Sequence, residues 1–73
     1  MTLQDVIKTA SEISTNPNII TKGLRLVYHL PSDVHRDLDQ ELFLKTNNNI
    51  QEYKWSKTCE VVIGGIYFEF IAI

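Results

Sequence analysis

Apolar residues recur along this chain at two different periods, and the switches between them mark out its elements. Leu3, Val6, Ile7, Ala10 and Ile13 follow helical spacing, and Thr2 with Asp5 three residues on forms a variant capping box, so a first helix is predicted from about residue 3 to residue 14. Asn16-Pro17 stops it, because proline lacks an amide donor and pushes its predecessor away from helical angles. The connector as far as Gly23 carries a small apolar plug, Ile19-Ile20. From Leu24 the period becomes two. Leu24, Leu26 and Tyr28 alternate with Arg25, Val27 and His29, which describes a strand with one buried and one more polar face. Leu30-Pro31-Ser32-Asp33 ends that strand and opens a second helix, with Ser32 as N-cap and Asp33 beside the positive end of the macrodipole. Val34, Leu38 and Leu42 form its apolar stripe, and Glu41 and Lys45 have acid-before-base spacing. Phe43 lies almost opposite Val34, so either the helix ends near Leu42 or a large ring faces away from the stripe. Asn47-Asn48-Asn49 reads as a turn.

The last third gives the sharpest local signal: Val61-Val62-Ile63, then Gly64-Gly65, then a second β-prone run from Ile66 to Ile73. A glycine pair between two such runs is a hairpin signature, since glycine reaches the positive φ of a primed turn without steric cost. Counting outward from the turn, Ile63 faces Ile66, Val62 faces Tyr67, Val61 faces Phe68, Glu60 faces Glu69 and Cys59 faces Phe70. One face then collects Tyr53, Trp55, Cys59, Val61, Ile63, Ile66, Phe68, Phe70 and Ala72, with Lys57 out of place, and this face should carry the helices. The other collects Glu60, Val62, Tyr67, Glu69, Ile71 and Ile73 among polar neighbours. The predicted fold is a two-layer α+β domain in the order α-β-α-β-β: a three-stranded sheet, built from the C-terminal hairpin plus one strand, with two helices packed on one face. If the first strand pairs in parallel with the strand around Val61, the crossover through the second helix is right-handed and the final strand is left as an open edge.

Seventy-three residues leave room for one domain, spanning 1–73, and for one small core. With 44% hydrophobic and 22% charged residues the chain is globular in composition, and a core of this size usually needs a disulfide, a metal or a partner beside it. Cys59 is the only cysteine and sits in an apolar strand pattern, so an internal disulfide is impossible and a buried inert thiol is expected. Association is the device that remains. A net charge of −2 offers no basic field for a phosphate backbone, so no nucleic-acid partner is expected. Residues 1–15 carry Asp5, Lys8 and Glu12 among their apolar positions, unlike a secretory signal, so the start is read as mature protein. Residues 61–73 are too short to span a membrane and are interrupted by Glu69, and a soluble, cytoplasmic chain with no membrane partner is expected. The wealth of Ile and Asn suits an AT-rich bacterial or phage genome.

Candidate chemistry is sparse. Glu60 and Glu69 oppose one another across the hairpin, roughly 5 Å apart, a separation that paired catalytic carboxylates also use. Acid–base work needs a water-excluding cleft, which a flat sheet in so short a chain does not supply, and Arg25 or His29 on the neighbouring strand would neutralise the pair. A partner's Lys or Arg would serve equally. His35 lies four residues before Asp39, where a carboxylate would support a charged imidazole. A metal set of Asp33, His35, Asp37 and Asp39 points around too much of the helix, and a solvated acidic face accounts for it better. His29, at the end of its strand, reads as a partly buried structural residue. Lys54-Trp55-Ser56-Lys57 mixes cations with an aromatic, but strand alternation separates Lys54 from Trp55. No nucleophile motif and no phosphate loop is present, so no catalytic residue, cofactor, metal or small-molecule substrate is expected. The expected function is that of a small non-enzymatic protein that self-associates, or docks on a larger assembly, through its sheet. Glu60, Val62, Tyr67, Glu69, Ile71 and Ile73 would form the partner-binding surface. The alternative is a small regulator or inhibitor, of a phage type, that meets its partner through the acidic helix around Asp33, Asp37 and Asp39. Against the sheet reading stands the chance that Ile19-Ile20 or the first strand covers that area.

Overall fold

A computed structural model describes residues 1–47, 49 and 51–73. Its elements are α1 (Leu3–Ser14), β1 (Arg25–Leu30), α2 (Ser32–Thr46), β2 (Thr58–Ile63) and β3 (Ile66–Ala72), an α+β order with one mixed three-stranded sheet. The predicted capping box starts α1: the Thr2 hydroxyl accepts from the Asp5 amide at 3.3 Å, while the Thr2 amide donates to the Asp5 carboxylate at 2.9 Å. The Thr2 amide, together with the Thr2 hydroxyl that donates to the same carboxylate oxygen at 3.2 Å, holds the Asp5 carboxyl below the usual range. Leu3, Val6 and Ala10 are the buried face of this helix.

The hairpin has the predicted register, from Ile63 opposite Ile66 to Cys59 opposite Phe70, and continues to Thr58 opposite Ile71. Gly64 and Gly65 sit at φ of 59° and 79°, the left-handed pair that a two-residue primed turn demands. Of the two placements open to the first strand, the structure has the one that covers the edge of the last strand. β1 pairs in parallel not with the strand around Val61 but with β3, from Arg25 opposite Tyr67 to Leu30 opposite Ala72, so the last strand is central and β1 and β2 are the edges. The physical reason lies in Ile66, Phe68 and Phe70, which are sealed to 1% exposure or less and need neighbours on both sides as well as helices above. Tyr28 of β1 supplies part of that cover, stacking on Phe70 at 5.5 Å and on Phe68 at 6.4 Å.

α2 also departs from expectation. Ser32 is its first residue rather than its N-cap; Pro31 takes the cap position with no side-chain bond, and the Ser32 hydroxyl donates instead to the Ile73 carbonyl at 2.8 Å. The helix continues past Leu42 to Thr46, and Phe43 escapes the stripe by meeting Tyr53 edge-on at 5.4 Å. The stripe itself is His35, Leu38 and Leu42, with Val34 only half-buried. Glu41 turns its carboxylate to the Leu3 amide at 3.0 Å, tying the start of α1 to α2. Tyr53 and Trp55 do not extend the sheet. They lie in an irregular connector, with Tyr53 packed on Phe43 and Trp55 under the Arg36 guanidinium at 4.9 Å. Lys57 lies at a bend, not within the strand. Of the predicted Asn47-Asn48-Asn49 turn, Asn49 lies in a turn and Asn48 falls outside the described residues.

The apolar plug does not form. Ile20 is 84% exposed and Ile19 is exposed beside it, because β1 already occupies the flank of β3 that the pair would have covered. The core is thus Leu3, Val6, Ala10, Leu38, Leu42, Ile66, Phe68 and Phe70, all between the helices and one face of the sheet. Phe70→Ala should cost about 3–5 kcal/mol, comparable to the whole stability of so small a domain, and leave little folded chain in a denaturant titration, whereas Ile20→Ser should shift the midpoint by less than about 0.5 kcal/mol.

Candidate functional site

Strand alternation sends Arg25, Val27 and His29 of β1, Thr58, Glu60 and Val62 of β2, and Tyr67, Glu69 and Ile71 of β3 to the face opposite the helices. No element among the described residues covers it. Val27, Val62, Tyr67 and Ile73 are 50%, 58%, 46% and 74% exposed, while Glu69 and Ile71 in the middle are half-buried by their own neighbours. The face therefore combines an apolar field with a charged centre. Arg25 is that centre: its Nη1 lies 3.2 Å from the Glu69 carboxylate and 3.7 Å from that of Glu60, and its guanidinium stands 5.8 Å from the Tyr67 ring. The like charges that face each other across the hairpin are bridged by one cation from the parallel neighbour. His29, expected to be partly buried, is exposed, since β1 is an edge and nothing packs over its polar face. Arg25, Glu60, Val62 and Tyr67 border a shallow hollow of about 290 Å³, open to solvent along the sheet.

The predicted surface residues are thus brought together on one face, with Ile73 at its margin just beyond β3. The acidic helix is not free in the same way. Asp39 accepts from the Tyr53 hydroxyl and from the Ser56 amide at 3.1 Å, which leaves Asp33 and Asp37 as the exposed members of the predicted acidic set and breaks the expected His35–Asp39 pair. His35 instead is completely buried, and its Nε2 donates to the Phe70 carbonyl at 2.8 Å. A polar residue among Asp33, Asp37 and Asp39 suits a solvated face by type. The signal for burial was its position three residues before Leu38 and seven before Leu42, which is helical core spacing. The Trp55 ring meets His35 edge-on at 6.3 Å and closes this end of the core. Among the described residues no three metal-ligating side chains converge, and no helix is long and apolar enough to cross a membrane.

Cys59 is half-buried on the core side of β2, where desolvation and the nearby Asp39 carboxylate push its thiol up to about 12. Burial, followed by the hydrogen bond to Asp39, raises the Tyr53 phenol as well. No protein-family model matches the chain, and no significant match to it was found among curated proteins or solved structures.

Both raised groups favour the fold while protonated, so their contribution is complete below their unfolded values and is lost as pH rises through the folded ones. Stability should fall from about pH 9 upward. Tyr53→Phe should flatten part of that alkaline loss in pH-dependent denaturation. Iodoacetamide at pH 8 should label Cys59 in the folded chain orders of magnitude more slowly than in the unfolded one. Arg25→Ala should cost about 0.2–1 kcal/mol, and the loss should shrink in high salt, because it exposes two carboxylates to each other at a solvated site.

Proposed function

We propose that this chain is a small non-enzymatic interaction protein that docks on a protein surface, a second copy or a larger assembly, through the face of the sheet opposite its helices. The observation that carries this reading is the exposure of Val27, Val62, Tyr67 and Ile73 around a fixed ion-paired centre, in a chain with little apolar area to spare. A face of this kind has the composition of an interface: an aromatic and aliphatic anchor set, with charge that sets orientation. Tyr67, Ile71 and Ile73 are the anchors, Val62 extends them towards the edge, and Glu60 and Glu69 set the register of the contact. Arg25 supports the binding reading over acid–base chemistry, because it holds both carboxylates in ion pairs on an open surface. The engagement of Asp39 by Tyr53 and Ser56 favours the sheet over the acidic helix as the contact.

Tyr67→Ala tests the reading, since the side chain is half exposed and its loss should leave the monomer folded. Light scattering over a concentration range, and binding to whichever protein is captured by the parent chain, should both show weaker association for the variant, by about 1–3 kcal/mol if Tyr67 is an anchor. Association unchanged in the variant, or a variant that unfolds, would count against the proposal.

A further inference from the structure

The sheet has an open edge as well as a bare face, and a role for that edge rests on the sheet being the docking element proposed above. β2 pairs with β3 on one side only. In an antiparallel pair the main-chain groups of alternate residues point into the ladder and away from it. The phase on β2 is fixed by Ser56, whose hydroxyl donates to the Thr58 carbonyl at 2.9 Å and accepts from the Thr58 amide at 3.4 Å, outside the ladder. Thr58 therefore points outward and is already satisfied. Two residues further along each time, Glu60 and Val62 present their amides and carbonyls in the same direction, and no hydrogen bond to them from other described residues is made on that side.

Beneath this edge, on the helix side, runs an apolar groove of about 470 Å³ lined by Leu3, Ile7, Leu42, Val61 and Ile63, with Lys45 and Thr46 completing its wall. It continues through Leu42, Thr46 and Val61 into a second hollow of about 200 Å³ that reaches Phe43 and Cys59. A strand laid against β2 would place alternate side chains in this groove, opposite Val61 and its neighbours, and the remaining ones on the far face beside Glu60 and Val62. The charge there is unbalanced. One guanidinium serves two carboxylates, and Glu60 is the more weakly held of the two, farther from Arg25 and with its side chain 65% exposed.

We infer that the β2 edge and the adjoining groove form a strand-addition site for an extended segment of a partner protein, in which a Lys or Arg aligned with Glu60 is flanked on both sides by apolar residues. The basic side chain completes the ion-pair cluster, the flanking ones fill the groove, and the Glu60 and Val62 main chain supplies the hydrogen bonds. A second copy of this chain fits less well. Two β2 edges related by a two-fold axis set Glu60 against Glu60, or against Val62 with no cation supplied.

The test is a selection from a random-peptide display library on the full chain, with the doubly substituted Glu60→Lys, Val62→Pro chain as counter-target. Val62→Pro removes an outward amide without touching the β2–β3 ladder, and the hairpin resonances report whether either variant remains folded. Peptides kept by the parent chain and lost by the counter-target should share a basic residue between apolar ones. Glu60→Lys alone should turn the selection towards Asp or Glu. A synthetic peptide from the selection should slow amide exchange at Glu60 and Val62, and Val62→Pro alone should weaken it roughly tenfold. Peptides held equally by parent and counter-target would overturn the site, as would a selection with no enrichment. Shift changes confined to the side chains of Val27, Tyr67 and Ile73, with the Glu60 and Val62 amides still exchanging freely, would leave the face as the docking surface and exclude the edge. Protection of those two amides that grows with protein concentration and needs no peptide would identify a second copy as the occupant and overturn the proposal.

Discussion

Everything in this fold follows from the need to bury Ile66, Phe68 and Phe70 on a single short strand. Three large side chains at alternate positions cannot be hidden by one helix or by one neighbouring strand. They require strands on both sides, a helical layer above and a ring such as Tyr28 laid across them. Each neighbour is recruited in the orientation its connection permits: β2 antiparallel through a two-residue turn, β1 parallel through the long path that includes α2. The cost of concentrating the core on one side of β3 is that the other side receives no layer at all.

That asymmetry links stability to the candidate site. The same pleat that points Phe68 and Phe70 into the core points Tyr67, Glu69 and Ile71 to the bare face, so the two surfaces cannot vary independently. Arg25 reconciles them. Its place in β1, opposite Tyr67, lets one side chain bridge the two carboxylates and border the aromatic ring, which sets a charged centre in an otherwise apolar face.

Much of this was legible in the sequence because local rules were strong. The capping residues of α1, the glycine pair and the alternation of β1 each follow from backbone sterics or one short-range hydrogen bond, and they recur in the structure at the predicted residues. The register of the hairpin followed from the turn, and with it the identity of the residues sharing a face. What could not be read was anything decided by tertiary pairing. Whether β1 chooses β2 or β3 depends on which strand carries the larger buried load, and the choice places the exposed edge on β2 instead of the last strand. Tyr53 and Trp55 have strand-like alternation, yet they pack on α2 because Asp39 and Arg36 offer them polar and cationic partners there. His35 looked like a surface residue by type and was a core residue by spacing, and spacing prevailed once the Phe70 carbonyl accepted its ring proton.

The parallel pairing of β1 with β3 has a consequence for how the chain acquires its shape. The helices and β1 are synthesised well before the strand that roofs and pairs with them, and the ladder between Arg25–Leu30 and β3 joins segments far apart in the chain. During translation the amino-terminal half has no sheet to assemble on until residues 66–72 leave the ribosome. Folding is therefore a late, concerted event, its rate set by closing that long loop more than by the quick zipping of the hairpin.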